Sequence, residues 1–149
     1  MTRLRRIMHA TDFSRASTAA LKRAIAMAKA NRAQLIVAHV MTPPSLVLPG
    51  EGYISPSLYE SLEASTRAQA QKRLGAIVAG AKKAGARASG LLLEGVPSER
   101  VARAARARKA DLLVIGTHGR TGLAKLFLGS VATRILASAP CPVLTVRGR

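Results

Sequence analysis

The chain has 149 residues, 48% of them hydrophobic, so it is long enough to bury the core of one domain and too apolar to be disordered. Aromatic residues make up 3% and tryptophan is absent, which argues against a platform that stacks the bases of single-stranded nucleic acid. The formal net charge is +17, which attracts polyanions and leaves nucleic acid, an anionic membrane surface and a generally basic host proteome all open as explanations.

The cysteine count and the N-terminal sequence predict the compartment. Cys141 is the single cysteine, so no disulfide can form within the chain, and a reducing environment is expected. The basic residues at the start are not followed by an apolar segment, and no apolar run reaches the roughly 18 residues of a membrane span. We therefore expect a cytoplasmic protein that has no contact with a membrane.

Strand-like and helix-like segments alternate from one end of the chain to the other. The predicted strands are 5–10, 34–40, 87–93, 111–116 and 143–146. The predicted helices run over 15–31, from Ser57 toward Gly85, from Pro97 to about Lys109, and over 130–138. This alternation predicts an α/β fold, a single doubly wound open five-stranded parallel sheet with helices on both faces (Rossmann-like, of the adenine-nucleotide-binding type), spanning one domain over 1–149.

Local signals support these elements. Ser14 is a candidate N-cap of the first helix, and the sequence from Ser57 to Glu60 has the spacing of a capping box for the second. The nearly continuous apolar run over 34–40 is typical of a strand buried on both faces. The start of 87–93 is less hydrophobic, which favours a position nearer an edge of the sheet.

A proline-rich and glycine-rich segment interrupts the alternation. Four prolines and two glycines lie between Met41 and Ser57, which predicts a long loop. Long loops in compact domains are often functional, so the stretch over 42–56 is a candidate lid.

The strongest functional signal follows the predicted strand 111–116. Gly116, Gly119 and Gly122 come directly after the strand, and Gly129-Ser130 opens the next helix. Gly116 would let a ligand approach the backbone, Gly119 and Gly122 can adopt positive φ so that N–H groups converge, and a helix start attracts anions. The pattern is neither a Walker A loop nor a Gly-x-Gly-x-x-Gly fingerprint. It predicts a phosphate-binding loop over 116–130; the alternative is that the glycines only make tight turns.

Four separated blocks of the sequence resemble one known family. They are 7–14 (IMHATDFS), the strand end His39-Val40, 110–116 (ADLLVIG) followed by Gly-x₂-Gly-x₉-Gly-Ser, and 139–146 (APCPVLTV). In this order they are similar to the ATP-binding branch of the universal stress protein family. The resemblance implies ATP as the ligand, with Mg²⁺ possible, and a homodimer that pairs through 143–146. At His9-Ala10 the sequence differs from the residues that the family usually has before Thr-Asp. This difference affects only the expected local shape of the chain at that point.

The resemblance also implies a set of nucleotide-contacting residues. Val40 is expected at the adenine, Gly116, His118 and Gly119 at the ribose and phosphates, and Gly129 and its neighbours at the phosphate tail. The full set is Thr11, Asp12, Val40, Ile115, Gly116, His118, Gly119, Gly129, Ser130 and Val131.

Several of the polar residues have two interpretations. Asp12 could satisfy loop amides or contact the ribose or Mg²⁺, and His118 could contact the ligand or be an ordinary loop residue. His9 and His39 are predicted to be core or supporting groups, and Cys141 a small buried filler and not a nucleophile. No catalytic residue is assigned.

The stretch over 100–109 carries several arginines. A solvated, charge-rich helix face is the simple interpretation, and an anion-binding surface for nucleic acid, a polyphosphate or an acidic partner is the sharper one. The sequence thus favours an ATP-binding sensor. The alternatives are a slow ATPase or nucleotidyl-transfer enzyme on the same fold, or a basic scaffold that binds nucleic acid without sequence preference.

Overall fold

The computed structural model describes residues 3–48, 50, 52–117 and 128–148 and contains a five-stranded parallel sheet with helices on both faces. The strands are β1 (Arg6–Ala10), β2 (Gln34–Met41), β3 (Val47–Leu48), β4 (Gly52–Tyr53), β5 (Arg87–Glu94), β6 (Leu112–Gly116) and β7 (Val143–Val146). The helices are α1 (Arg15–Asn31), α2 (Pro56–Lys83), α3 (Pro97–Ala107) and α4 (Ser130–Ser138).

The strand order of the large sheet is β5-β2-β1-β6-β7. The chain first winds outward from β1 through β2 to β5, and then returns to β6 on the other side of β1 and continues to β7. The predicted doubly wound sheet is therefore confirmed, and so is the position of the strand at 87–94 at an edge. The winding reverses between β1 and β6, which is where ligands bind in open α/β sheets.

Two apolar layers cover the sheet. Along β1 successive side chains alternate, so that Ile7 packs under α1 and α2 while Met8 packs under α3 and α4, and both are fully buried. On α1 the buried stripe consists of Ala20, Ala24 and Ala28 at helical spacing. Because alanine is small, this helix can lie close against the strands. No helix of the described residues is long and apolar enough to cross a bilayer.

The start of α2 differs from the prediction. The helix begins at Pro56, and its N-cap is Ser55, whose Oγ accepts a hydrogen bond from the backbone N–H of Leu58 at 3.2 Å. The capping box predicted from Ser57 to Glu60 is wrong. Proline is well accommodated in the first helical turn because its missing N–H would have no intrahelical acceptor there, and the cap lies two residues upstream of the predicted one.

The predicted long loop over 42–56 contains a small hairpin. β3 and β4 pair antiparallel, with Val47 opposite Tyr53 and Leu48 opposite Gly52. Gly50 and Gly52 both have positive φ, 78° and 77°, which turns the chain between the two strands. The segment thus has secondary structure of its own, and its role as a lid stays a prediction.

Candidate functional site

A cleft of about 600 Å³ lies at the carboxyl ends of β1, β2 and β6, where the winding of the sheet reverses. This volume is within the range of about 300–1,000 Å³ that small-molecule sites occupy. Of the ten residues predicted from sequence to contact a ligand, eight line this cleft: Thr11, Asp12, Val40, Ile115, Gly116, Gly129, Ser130 and Val131. The structure thus brings together residues up to 120 positions apart in the chain. We call it the carboxyl-end cleft.

His118 and Gly119, the other two predicted residues, lie outside the described residues, as do Gly122 and the rest of 118–127. The predicted convergence of their N–H groups therefore stays a prediction.

The Asp12 loop is held by its own side chains. Oδ1 of Asp12 accepts hydrogen bonds from the backbone N–H of Ser14 at 2.9 Å and from the Ser17 hydroxyl at 2.6 Å, while the Asp12 N–H donates to Ser17 Oγ at 3.1 Å. Ser14 is the N-cap of α1, as predicted, and its Oγ accepts from the Ser17 N–H. The carboxylate therefore has the structural role considered from sequence, and it also lies at the positive end of the α1 dipole, inside the cleft.

A stack of three side chains forms one wall of the cleft. The rings of Phe13 and His39 lie 4.1 Å apart between centroids, and the guanidinium of Arg73 lies 4.3 Å from the centroid of Phe13. Phe13 has a φ of 64°, an unusual left-handed conformation for this residue type. His39 is buried, and its Nδ1 donates to the Thr11 carbonyl at 2.8 Å. His39 is thus a supporting group, as predicted, and it fixes the Thr11 backbone.

Helix α2 contributes residues that the sequence analysis missed. Thr66, Gln69 and Arg73 line the cleft at helical spacing, with the buried Ala70 between them. The signal was available, because residues three and four apart share one helix face. The sequence analysis assigned no ligand contact to this helix.

The structure gives a reason for glycine at position 116 that the sequence analysis did not consider. A Cβ at Gly116 would lie 2.9 Å from the carbonyl carbon of Ala16 and 3.0 Å from its Cβ. The missing side chain therefore makes room for the first turn of α1, and the role of Gly116 in ligand approach stays a prediction. Gly148 contacts the same residue, with its Cβ position 2.9 Å from the Ala16 Cα. Both glycines let α1 begin close to the sheet, which places Asp12 at the rim of the cleft.

The first turn of α4 faces the same space. Gly129 is its N-cap, with φ −60° and ψ 156°, and makes no side-chain capping bond. The Gly129 N–H donates to the Thr117 carbonyl at 2.7 Å, and the Thr117 N–H donates to the Val146 carbonyl at 3.0 Å. These bonds join the helix start to the ends of β6 and β7. The amides of the first turn have no intrahelical acceptors, so they can bind an anion at this position.

Burial keeps both His9 and Cys141 in their neutral forms. Burial lowers the pKa of His9 to about 4, while its Nδ1 donates to the Val114 carbonyl at 2.9 Å. Burial likewise raises the pKa of the Cys141 thiol. The sequence predicted a buried filler at this position, and the residue is half-buried. His9 is thus a neutral core residue at pH 7, and Cys141 is protonated.

Among the described residues, Asp12 is the one carboxylate that lines the cleft. Those residues contain no group of three or more histidine, cysteine or acidic side chains that could hold a metal ion by themselves. A single carboxylate fits Mg²⁺, which is usually bound through one or two carboxylates together with phosphate oxygens and water.

Comparison with known sequences agrees with this geometry. The sequence model of the universal stress protein family matches residues 3–147. Universal stress protein MJ0531 of Methanocaldococcus jannaschii is 36% identical over 144 residues, which cover 96% of this chain and 82% of that protein. A universal stress protein of Thermus aquaticus is 40% identical over 130 residues, covering 85% of this chain and 89% of that one.

Solved structures show the same fold. The structure of MJ0577 has a TM-score of 0.85 at 23% identity and covers 99% of both chains. A universal stress protein in complex with cAMP has a TM-score of 0.69 at 26% identity, covering 99% of this chain and 100% of that one. A relative from Archaeoglobus fulgidus in complex with dAMP has a TM-score of 0.65 at 25% identity, covering 97% of this chain and 99% of that one.

Proposed function

This chain belongs to the universal stress protein family, and we propose that it binds an adenine nucleotide, ATP, in the carboxyl-end cleft and acts as a nucleotide-dependent regulator of a stress response. The observation that carries the proposal is the convergence of the Asp12 loop, the end of β2 and the start of α4 on one cleft at the reversal of the sheet. Relatives that were solved with cAMP and dAMP support adenine as the base.

The apolar part of the cleft suits the adenine. Ala38 is the last residue of β2 that pairs with β1. Beyond it β2 has no strand of the described residues beside it on that side, and Val40 borders the cleft there. Val40 and the buried Ile115 supply apolar surface, and the Val40 backbone supplies polar groups for the edge of the base. We therefore place the base at Val40.

The polar part of the cleft suits the ribose and phosphates. Gly129, Ser130 and Val131 form the first turn of α4, where unpaired amides and the helix dipole attract phosphate. Gly116, His118 and Gly119 are proposed to follow the ribose and the first phosphates.

Asp12 is proposed to hold Mg²⁺ that arrives with the nucleotide. Its Oδ1 is engaged by Ser14 and Ser17, which orients the carboxylate before the ligand binds. A bound Mg²⁺ would neutralise phosphate charge.

Regulation is favoured over turnover because the described groups bind and orient but do not activate water. The histidine that contacts the cleft, His39, donates its Nδ1 proton to Thr11 and stacks on Phe13. Slow hydrolysis is the second candidate, and it would depend on Asp12 and His118. Activity that survives Asp12→Ala combined with His118→Ala would come from a contaminant.

We further propose that the protein is a cytoplasmic homodimer that pairs through β7. This strand lies at an edge of the sheet, where an outward row of backbone groups can accept another strand. Sedimentation equilibrium tests the dimer, and a monomer at all concentrations would overturn it.

The nucleotide proposal is tested by releasing bound small molecules from denatured protein and by thermal shift with ATP–Mg²⁺. Gly129→Val should abolish the shift while leaving the circular dichroism unchanged, because valine tolerates φ −60° and ψ 156° but fills the helix start. Gly75→Val is the matched control, since no atom lies within 4 Å of the Cβ position at Gly75. Absence of both a co-purified adenine nucleotide and a thermal shift in the wild type would refute the proposal.

A further inference from the structure

The opposite end of the sheet carries a concentrated positive charge, and we propose that it docks the phosphate backbone of double-stranded nucleic acid. Ten exposed cations lie where strands β1 and β5 begin and where helices α1, α2 and α3 end: Arg5, Arg6, Lys29, Arg32, Lys82, Lys83, Arg87, Arg106, Arg108 and Lys109. We call these ten residues the amino-edge basic face. It is separate from the carboxyl-end cleft, and the inference does not depend on the nucleotide proposal.

The sheet register sets the spacing of part of this face. Arg6 is paired with Gln34, and Gln34 is paired with Arg87, so the two arginines lie in one row across three neighbouring strands. At a strand spacing of about 4.8 Å, their backbones are about 10 Å apart. The fold thus holds charges that are distant in sequence in a fixed arrangement.

A concave surface of about 580 Å³ opens at this row. It is lined by Arg5, Arg6, Gln34, Lys82, Arg87 and Ala88. Four of these six side chains are cationic and none is acidic, so the concavity favours an anionic occupant.

The described carboxylates form no ion pair with the side chains of the face, although the charge of Asp111 interacts with those of Arg5 and Arg6 at longer range. Both ion pairs formed between described residues belong to Arg67, which lies in the middle of α2. Asp111 is the one described carboxylate at this edge, and its Oδ2 accepts from the backbone N–H groups of Arg5 and Arg6 at 2.7 and 2.8 Å. These hydrogen bonds lower the pKa of the Asp111 carboxyl, and the bond from the Arg6 N–H has the largest effect. The remaining described acidic residues lie toward the carboxyl end of the sheet: Asp12, Glu60, Glu63, Glu94 and Glu99.

Compensation of helix dipoles explains only part of the cluster. Each helix C-terminus carries about half a negative charge, so the ends of α1, α2 and α3 together present fewer than two negative charges for the cations to balance. Arg87 has such a local role, since its guanidinium donates to the Arg32 carbonyl at the end of α1. Ten cations far exceed this need, and α4, which ends at the same edge, has no basic residue in its last turn.

The composition of the face favours a duplex over other polyanions. Six of its ten cations are arginines, whose planar fork matches phosphate oxygens. No described aromatic residue lies among them, so stacking of single-stranded bases is not supported. None of the large exposed apolar side chains of the described chain lies on α1, β1 or β5, and Leu58 and Leu62 on α2 lie near the start of that helix, far from Lys82 and Lys83 at its end. The described part of the face therefore offers no apolar side chain for insertion into a bilayer. Binding through phosphate alone predicts no sequence preference.

The test measures binding of a labelled random-sequence DNA duplex by fluorescence anisotropy between about 50 and 200 mM salt. The edge variant combines Arg5→Gln, Arg6→Gln, Lys82→Gln and Lys83→Gln and leaves the Arg87 contact intact. The matched control combines Lys22→Gln, Lys72→Gln, Arg100→Gln and Arg134→Gln, which removes the same charge from exposed positions elsewhere. ATP–Mg²⁺ binding is measured on both variants, so that a failure of the nucleotide proposal is separated from a failure of this one.

We expect the edge variant to bind the duplex at least tenfold more weakly, with a salt slope smaller by about 3, because each lost phosphate contact removes about 0.9 from the slope. The control should keep the wild-type slope to within about 1. Three results would overturn the proposal: equal losses in both variants, no duplex binding by the wild type at the lowest salt, or edge-dependent binding to phosphatidylserine vesicles without binding to DNA.

Discussion

The two ends of the same parallel sheet are built in different ways. At the carboxyl end, the groups proposed to bind a ligand also hold the chain together, since Asp12 orders the start of α1 and Gly116 admits the first turn of that helix. At the amino edge, the ten cations are exposed, and the sheet beneath them is formed by backbone pairing, with Arg87 as the one cation of the face described as donating to a backbone carbonyl, that of Arg32. The comparison teaches that substitutions in the cleft should change both stability and binding, whereas those at the edge should change binding alone.

The largest effect on stability is expected at Gly116. Gly116→Val places a branched side chain against the Ala16 backbone, which lies 2.9 Å from the Cβ position, and should lower the free energy of unfolding by about 3 kcal/mol in urea denaturation. Gly75→Val has open space around it and should change this free energy by less than about 1 kcal/mol. A Gly116→Val protein of wild-type stability that has lost only nucleotide binding would show that the glycine is needed for ligand approach and not for packing against α1.

Acid should destabilise the protein through His9, which lies on β1 between the two ends. The native pKa of His9 is about 4 and its ordinary value is 6.5, so between these pH values the unfolded chain binds a proton that the native protein excludes. The free energy of unfolding should therefore fall by about 3 kcal/mol as pH drops from 6.5 to 4, and this contribution should be constant above 6.5. His9→Gln removes the titration, and equal acid sensitivity of both proteins would contradict the assignment.

Two substitutions of Asp12 separate its structural role from its role in binding. Asp12→Ala removes the acceptor of Ser14 and Ser17 and should cost about 1–2 kcal/mol of stability. Asp12→Asn keeps an acceptor oxygen and should stay within about 0.5 kcal/mol of the wild type, yet bind ATP–Mg²⁺ about tenfold more weakly because the charge is lost. If the Asp12→Asn variant binds ATP–Mg²⁺ in calorimetry with the affinity of the wild type, Asp12 does not hold the metal.

The smallest effect is expected from Arg87 at the amino edge. Arg87→Met removes the hydrogen bond to the Arg32 carbonyl but retains the aliphatic stem, and should change stability by about 0.5 kcal/mol or less. Lys82→Met, at an exposed position that lines the same concave surface, is the comparison. A loss of more than about 2 kcal/mol at Arg87 would show that the basic face is also part of the fold, which would remove the contrast between the two ends.

The sequence was sufficient for the elements whose signals are local. Ser14 was identified as the cap of α1, and the apolar runs gave the strands of the sheet and the edge position of β5. Five of the eight predicted residues that line the cleft lie at strand ends (Thr11, Asp12, Val40, Ile115 and Gly116), and the carboxyl ends of parallel strands meet on one side of a sheet. Gly129, Ser130 and Val131 lie at the start of α4, and their role was implied by the family resemblance.

What the sequence could not provide depends on distance in space. The role of Gly116 is set by Ala16, a residue 100 positions away, and no local pattern contains that contact. Arg73 enters the cleft through its stack on Phe13, which requires the left-handed backbone at Phe13. The basic face is only partly visible along the chain, because Arg106, Arg108 and Lys109 lie in the basic stretch 100–109 while the other seven cations are spread over four further elements. The sheet register is what brings Arg6 and Arg87 into one row.

The most direct test of the contrast between the two ends is a crystal structure of the protein grown with ATP and Mg²⁺, since both ends could attract phosphate. We predict that the triphosphate lies at the first turn of α4, with the base beside Val40 and a metal ion near Asp12. A nucleotide bound at Arg5, Arg6 and Arg87, with the carboxyl-end cleft holding only water, would contradict the account.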